Sequence, residues 1–129
     1  MDSIILTEEM KAAIALLEDE KERFIWISGH AGTGKSTFLQ YLKTEIRPRN
    51  AVFLAPTAVA ALTIGGQTIH SFFWIDPNEK AHLETTLDPD RGSRLYPLLA
   101  KVETIVIDEI SMVRADLLNT MDRRMRMAN

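Results

Sequence analysis

Residues 29–36 read Gly-His-Ala-Gly-Thr-Gly-Lys-Ser, which fits the pattern G-x-x-x-x-G-K-[ST] at every fixed position. Just before this stretch stand four apolar residues, Phe24-Ile25-Trp26-Ile27, which predict a buried strand. After it, apolar residues recur at helical spacing as far as Ile46, and Pro48 predicts the end of that helix. Strand, glycine loop and helix form the setting in which this pattern binds phosphate.

Each fixed position of the loop has a chemical role in holding a triphosphate. Glycines let the backbone curl so that successive N–H groups point at phosphate oxygens, and the following helix directs its unpaired amides at the same anion. Lys35 can reach the β- and γ-phosphates, and the Ser36 hydroxyl can ligate magnesium. A plain glycine-rich turn would leave this Lys-Ser pair unexplained, whereas His30 is more simply an incidental loop residue. The predicted nucleotide-binding residues are Gly29, Ala31, Gly32, Thr33, Gly34, Lys35, Ser36 and Thr37.

A second candidate feature is the acidic pair Asp108-Glu109, which follows the apolar β-type run Thr104-Ile105-Val106-Ile107. Ligands of open α/β sheets bind at the carboxyl ends of the strands. Asp108 is therefore a candidate magnesium ligand, and Glu109 is a candidate catalytic residue that orients and deprotonates the attacking water. The alternative is a solvated helix start, where acidic residues are also common. The phosphate loop earlier in the chain favours the catalytic interpretation.

Strand and helix patterns alternate along the chain, which predicts an α/β fold with a three-layer parallel sheet and helices on both faces. Thr7, followed by Glu8 and Glu9, predicts the capped start of a first helix. The other predicted elements are a strand at 51–54, a short helix opened by 56–57 and ended by the glycines 65–66, a turn or short helix at 68–74, a polar surface segment at 76–93, a small helix around 95–99, a strand at 104–107 and a helix at 112–127.

On the last predicted helix, the spacing of apolar residues indicates which side faces the core. The residues expected to face inward are Val113, Leu117, Leu118 and Met121. The arginines of the same helix, Arg114, Arg123, Arg124 and Arg126, are expected to be solvated rather than catalytic.

Composition limits the classes of protein to which the chain can belong. Its 129 residues fit one domain, and the 46% hydrophobic and 26% charged fractions are typical of soluble globular proteins. The absence of cysteine excludes disulfides and Cys-ligated zinc. With no apolar run near the ~18 residues of a membrane span, we expect a soluble cytoplasmic protein. The net charge of −3 does not favour nucleic-acid binding, so any such function must be argued from motifs.

Two further stretches carry a family resemblance. Ala55-Pro56-Thr57-Ala58-Val59-Ala60-Ala61 and Gly65-Gly66-Gln67-Thr68-Ile69-His70-Ser71-Phe72-Phe73 resemble the segment after the phosphate loop in Pif-family (petite integration frequency) helicases, and RecD-type helicases carry a related stretch. Val106-Ile107-Asp108-Glu109-Ile110-Ser111-Met112-Val113 is similar to that family's Walker B motif. Together with the phosphate loop, the resemblance runs from about Leu6 to the C-terminus.

The resemblance implies that residues 1–129 are the N-terminal part of a RecA-like P-loop ATPase domain, a fold that is incomplete in this chain. The family's motor translocates 5′ to 3′ on single-stranded DNA and hydrolyses ATP with Mg²⁺ between two RecA-like domains. By resemblance, Lys35 and Ser36 handle phosphate and magnesium, Asp108 the metal and Glu109 the water. The stretches that line the DNA strand contain Pro56, Thr57, Thr68 and His70.

The residues themselves support part of the implied DNA contact. Thr57, at a predicted helix start, offers a hydroxyl and backbone amides to a phosphate without requiring net positive charge. The aromatic residues Phe72, Phe73 and Trp74 offer surfaces on which bases stack at ~1–3 kcal/mol each. For such a contiguous triplet, however, we expect at least two of the three to pack in the core.

Two features depart from the family pattern. Relatives often place glutamine in the first helix to read adenine, and the corresponding residue here is Met10, whose thioether cannot form the paired hydrogen bonds of an amide. The chain also stops at Asn129, before the second RecA-like domain and its arginine finger, which is worth roughly 10³–10⁵ in rate. We therefore expect the chain alone to bind nucleotide weakly and to hydrolyse it very slowly.

Two other classes of protein remain as alternatives. A nucleotide-gated regulatory or binding ATPase would share the phosphate loop and the acidic pair but has no reason to carry the Pro56–Phe73 stretch. A small-molecule kinase is disfavoured, because the acidic pair supplies a water activator and no acceptor pocket is evident in the sequence.

Overall fold

The computed structural model describes residues 6–19, 21, 24–27, 34–76 and 87–129, which fall in two compact units, Met1–Pro48 and Arg49–Asn129. Each unit is described by itself. Within the described ranges, no helix has the length and apolar character needed to cross a bilayer.

In its described residues, the first unit contains two helices whose limits follow the sequence signals. Helix α1 spans Glu8–Glu18, and the Thr7 hydroxyl caps it by accepting the Met10 N–H at 3.2 Å. Helix α2 spans Lys35–Tyr41 and continues as a π-helical turn over Leu42–Ile46. The turn ends with Arg47 in the left-handed region, just before Pro48, so the predicted end of this helix is confirmed.

The predicted strand at Phe24–Ile27 is not observed. This segment is irregular, and the side chains of Phe24 and Trp26 are 93% and 73% exposed. A β-type sequence becomes a strand only when a neighbouring strand supplies its hydrogen bonds, and the described strands pair with one another in the second unit. The prediction of a buried strand at this segment is therefore wrong.

The second unit is built on a parallel sheet of three described strands in the order β2-β1-β3. Strand β1 spans Ala51–Ala55, β2 spans Gln67–Thr68 and β3 spans Thr104–Ile107. In the register, Ala55 lies opposite Thr68, and Leu54 lies opposite both Gln67 and Ile107. The parallel arrangement confirms the predicted α/β class.

Helices lie between these strands along the chain and after β3. Their bounds are Ala58–Ile64 for α3, Ile69–Phe73 for α4, Pro89–Leu99 for α5, a 3₁₀ turn at Ile110–Met112 and Ala115–Ala128 for α6. Gly65 ends α3 with φ +65°, as the sequence predicts. Helix α5 begins earlier than predicted, because Asp88 caps it by accepting the Arg91 N–H and Pro89 occupies its first position.

The core of the second unit joins β1, α4, α5 and α6. Phe73 is fully buried in it, while Phe72 and Trp74 are half-buried and pack against it. Phe72 and Phe73 also meet edge to face, with ring centroids 5.1 Å apart. The expectation that at least two of these three aromatic residues pack in the core is confirmed.

Helix α6 corrects two of the sequence assignments. Leu117 and Met121 are buried as predicted, but Leu118 is 47% exposed and Arg124 is only 1% exposed. The buried stripe is 117, 120, 121 and 124, which follows helical spacing from Leu117, so Leu118 falls on the outer face. Arg124 is not solvated, because its guanidinium donates to backbone carbonyls of another helix inside the unit.

Candidate nucleotide and nucleic-acid site

Gly34, the last glycine of the phosphate-loop pattern, has φ +85° and is the N-cap of α2. Its carbonyl accepts the Phe38 N–H at 2.9 Å, the first hydrogen bond of the helix. Lys35 is half-buried in the first turn of this helix, and Ser36 and Thr37 follow it with exposed side chains. The predicted nucleotide-binding residues Gly29, Ala31, Gly32 and Thr33 lie outside the described residues, so their placement stays a prediction.

Replacing Gly34 with alanine is expected to lower the free energy of unfolding by about 1–2 kcal/mol, because a Cβ disfavours a positive φ. Space is not the obstacle, since the nearest atom to such a Cβ, the Met10 Cε, would be 3.8 Å away. Urea denaturation should show a smaller loss for Gly34→Asn, because asparagine tolerates the left-handed region better. Equal losses for the two variants would contradict the backbone argument.

Met10 lies in the first turns of α1, close to the start of α2. Its side chain is half-buried, and its methyl group is the nearest atom to the position that a Cβ on Gly34 would occupy. An apolar thioether therefore lies beside the end of the phosphate loop. The departure noted in the sequence thus lies close to the predicted nucleotide-binding residues.

The acidic pair lies at the carboxyl end of β3, as predicted. The Asp108 N–H donates to the Leu54 carbonyl at 3.0 Å, which extends the pairing of β3 with β1 by one residue. Asp108 is 6% exposed, and its carboxylate accepts the Glu109 N–H at 2.9 Å. Glu109 itself is exposed and has φ +59°, so the backbone turns sharply between the two acids. The two carboxylates thus have different environments.

The four predicted DNA-contacting residues lie at the carboxyl ends of β1 and β2, at the same edge of the sheet as Asp108: Pro56 and Thr57 follow β1, Thr68 ends β2 and His70 follows it. Thr57 caps α3 by accepting the Ala60 N–H, and Thr68 caps α4 by accepting the Ser71 N–H, both at 3.2 Å. Each hydroxyl keeps a proton to donate. His70 is half-buried in α4, and Pro56 precedes the cap of α3 rather than lying in its first turn as predicted.

The donor set suits magnesium bound mainly through a substrate. Among the described residues, no group of three or more His, Asp or Glu side chains is arranged as a metal cage. Magnesium usually takes one or two protein oxygens together with phosphates and water. In the second unit, the buried Asp108 carries a carboxylate of this kind.

Comparison with known proteins assigns the family. The model of the PIF1-like helicase family matches residues 5–128. The chain belongs to the PIF1-like helicase family. It is 36% identical over 110 residues to the ATP-dependent DNA helicase Pif1 of Bdellovibrio bacteriovorus, covering 85% of this chain and 25% of that protein. It is also 36% identical over 118 residues to human ATP-dependent DNA helicase PIF1, covering 91% of this chain and 18% of that protein.

Solved structures of this PIF1-like family show the same fold. A crystal structure of a Bacteroides Pif1 helicase double mutant matches with a TM-score of 0.84 and 39% identity, over 99% of this chain and 29% of that chain. The Bacteroides Pif1 complex with ADP-AlF3 and single-stranded DNA matches with a TM-score of 0.76 and 40% identity, over 98% of this chain and 29% of that chain. The RecA-like fold of the family is therefore confirmed, and the chain spans about a quarter or less of the curated relatives quoted above.

Two structural features of this PIF1-like chain were not found from its sequence. The left-handed backbone of Glu109 has no sequence signal, because a positive φ is expected at glycine or asparagine rather than glutamate. The burial of Arg124 was also missed, although its position seven residues after Leu117 on one helical face was a usable signal.

Proposed function

We propose that this chain is the ATP-binding and ATP-hydrolysing part of a DNA helicase that moves 5′ to 3′ on single-stranded DNA. The observation that carries the proposal is the carboxyl edge of the sheet in the second unit. It gathers a buried aspartate, an adjacent exposed glutamate and the two threonine-capped helix starts of the family's DNA-contacting stretches. A regulatory ATPase needs the acids but not those threonine-capped segments.

In the proposed nucleotide site, Lys35 binds the β- and γ-phosphates and the amides at the start of α2 donate to the same oxygens. Ser36 and Asp108 would hold Mg²⁺. When bound, this ion would neutralise charge on the phosphates during hydrolysis. Support comes from the Gly34 conformation, which starts α2 beside Lys35, and from the burial of the Asp108 carboxylate.

Glu109 is the proposed general base for the attacking water. The side chain of Glu109 is exposed, whereas Asp108 is buried and its carboxylate accepts the Glu109 N–H. One acid is thus suited to holding a metal and the other to accepting a proton from water. A base that accepts a proton from water is needed by a hydrolase. A kinase instead transfers the phosphoryl group to a substrate hydroxyl.

The proposed DNA contacts are hydrogen bonds to the phosphates of the DNA backbone, and they do not require an excess of positive charge on the protein. The hydroxyls of Thr57 and Thr68 each retain a proton for a phosphate oxygen, and His70 lies in the first turn of α4, two residues after its cap. Such contacts suit a chain whose net charge is −3. Because these contacts are made to the DNA backbone and not to base edges, they carry little base specificity.

Fluorescence anisotropy with a labelled oligo(dT) strand tests the proposal. The chain is titrated with and without ATPγS and Mg²⁺, and we expect the affinity for the strand to depend on the nucleotide. Nucleotide binding without any binding of the strand would favour the regulatory ATPase instead. Binding of neither ligand would contradict both functions.

Replacing Met10 with glutamine is expected to increase the preference for ATP over GTP by about tenfold, because a paired amide contact discriminates between bases by ~1–3 kcal/mol. The unmodified chain should show little preference, since a thioether does not distinguish the hydrogen-bonding edges of the two purines. Competition binding against a fluorescent ATP analogue measures the ratio. Met10→Leu is the apolar control and should leave the ratio of ATP to GTP affinity unchanged. A strong ATP preference in both the unmodified chain and this control would refute the assignment of Met10 to the position that reads the base.

A further inference from the structure

The C-terminal end of α4 is bound to α6 by a buried arginine. Arg124, which is 1% exposed, donates from Nε to the Phe73 carbonyl at 3.1 Å and from Nη2 to the Trp74 carbonyl at 3.5 Å. The last carbonyls of a helix have no partner within the helix, so they require donors from elsewhere. Arg124 supplies such donors, and it does so across 50 residues of sequence.

The segment that Arg124 binds, helix α4 with its cap, is the one that carries the proposed contacts with single-stranded DNA. Helix α4 has five residues, so His70 lies within one turn of the carbonyls that Arg124 binds, and the Thr68 cap begins the helix. Trp74 ends it in the left-handed region, with φ +57°. A non-glycine residue keeps such a conformation only where its surroundings hold it, and the arginine hydrogen bond does part of this.

The other end of the connection leads to the acidic pair. Helix α6 follows Asp108 and Glu109 after one 3₁₀ turn at Ile110–Met112, whose hydrogen bonds begin at the Glu109 carbonyl. Arg124 lies on the buried stripe of this helix with Leu117 and Met121. A helix with one buried face therefore leads from the turn after the acids to the guanidinium that binds the end of α4.

We propose that Arg124 couples nucleotide binding to the binding of single-stranded DNA. It does so by connecting the Thr68–Phe73 segment to the helix that follows the acidic pair. The inference rests on the proposed helicase function. Arg124 is a positioning residue here, since it acts through α4 and not on substrate. Energetic coupling between sites is carried by chains of hydrogen bonds and packed side chains. Between these two helices, the hydrogen bonds from Arg124 to the Phe73 and Trp74 carbonyls add to the apolar cluster that contains Phe73, Leu117 and Met121.

Arg91 provides a matched control within the same structure. From its exposed position on α5, its Nη2 donates to the same Trp74 carbonyl at 3.2 Å, and its guanidinium lies 6.0 Å from the Trp74 ring. Arg91→Ala thus removes a donor from the same carbonyl without cutting the connection to α6. This variant therefore distinguishes the effect of losing a hydrogen bond to the Trp74 carbonyl from the effect of losing the connection between α4 and α6.

The test compares oligo(dT) affinity with and without ATPγS and Mg²⁺ in the unmodified chain and in Arg124→Met, Arg124→Lys and Arg91→Ala. We expect the nucleotide to change strand affinity by about tenfold in the unmodified chain and in Arg91→Ala, the scale on which single positions alter coupling. Arg124→Met should lose this dependence while still binding ATPγS, and Arg124→Lys, which keeps a donor, should retain part of it.

Thermal denaturation of each variant checks that the chain is folded, and Arg124→Lys carries the test if Arg124→Met does not fold. A folded Arg124→Met chain that keeps the full nucleotide dependence would overturn the coupling and leave the helicase proposal intact. Equal loss in Arg91→Ala would also overturn it, because the effect would then belong to Trp74 and not to the α6 connection. An unmodified chain that binds ATPγS but no strand would refute the helicase proposal, and the coupling with it.

Discussion

Lys35→Ala is expected to weaken ATPγS binding by roughly 100-fold, which is the largest effect of any single substitution on affinity in this chain. The lysine contributes a charge-assisted contact to two phosphates, and removing it leaves phosphate charge unpaired in the site. Isothermal titration calorimetry with Mg²⁺ present measures the change directly. Helix α2 keeps its buried residues Phe38 and Leu39 in this variant, so we expect the chain to remain folded.

Lys11→Ala serves as the control for the loss of one positive charge in the same unit. Its ammonium pairs with Glu8 on the surface of α1 at 3.5 Å, an exposed contact of the kind worth little to stability. The control should bind ATPγS as the unmodified chain does. A Lys35→Ala chain that binds equally well would show that the phosphate loop pattern does not hold triphosphate here.

Glu109→Gln is expected to slow ATP hydrolysis by about 10²–10⁴-fold while leaving ATPγS affinity unchanged, because the amide cannot accept a proton from water. The side chain keeps its size and the backbone keeps its left-handed turn, so the geometry beside Asp108 is preserved. Radiochemical phosphate release in the presence of oligo(dT) is sensitive enough for a slow hydrolase.

Glu103→Gln is the matched control, since Glu103 directly precedes β3 whereas the acidic pair follows it. It removes the same charge at the opposite end of the strand and should leave hydrolysis unchanged. If Glu109→Gln hydrolyses ATP at the unmodified rate, the water-activating role belongs to another residue. If it also loses nucleotide affinity, Glu109 contributes to binding and its assignment as a base alone is wrong.

Much of the second unit could be predicted from sequence, because its signals are local. The strand at β3 and the acids that end it follow from one apolar run and its polar boundary, and the register with β1 then places them at the carboxyl edge. The caps of α3 and α4 follow from threonines standing before apolar helical segments. The family resemblance supplied the assignment of these segments to DNA.

The failures share a different physical origin. Phe24–Ile27 has the composition of a strand, but pairing is a property of the neighbours and cannot be read from the segment alone. Arg124 was assigned to solvent from its residue type, although carbonyls fifty residues away in sequence compensate its burial. The positive φ of Glu109, which precedes the 3₁₀ turn at Ile110–Met112, is likewise not indicated by the residue type.

The central claim is that the carboxylate of Asp108 acts on the same ATP–magnesium complex that Lys35 binds. The most direct test is the Mg²⁺ dependence of ATPγS affinity in Asp108→Asn, with Asp122→Asn on the exposed face of α6 as control. We predict that Mg²⁺ strengthens binding about tenfold in the unmodified and control chains, and that Asp108→Asn loses this strengthening. An Asp108→Asn chain whose affinity rises with Mg²⁺ as much as that of the unmodified chain would contradict the account.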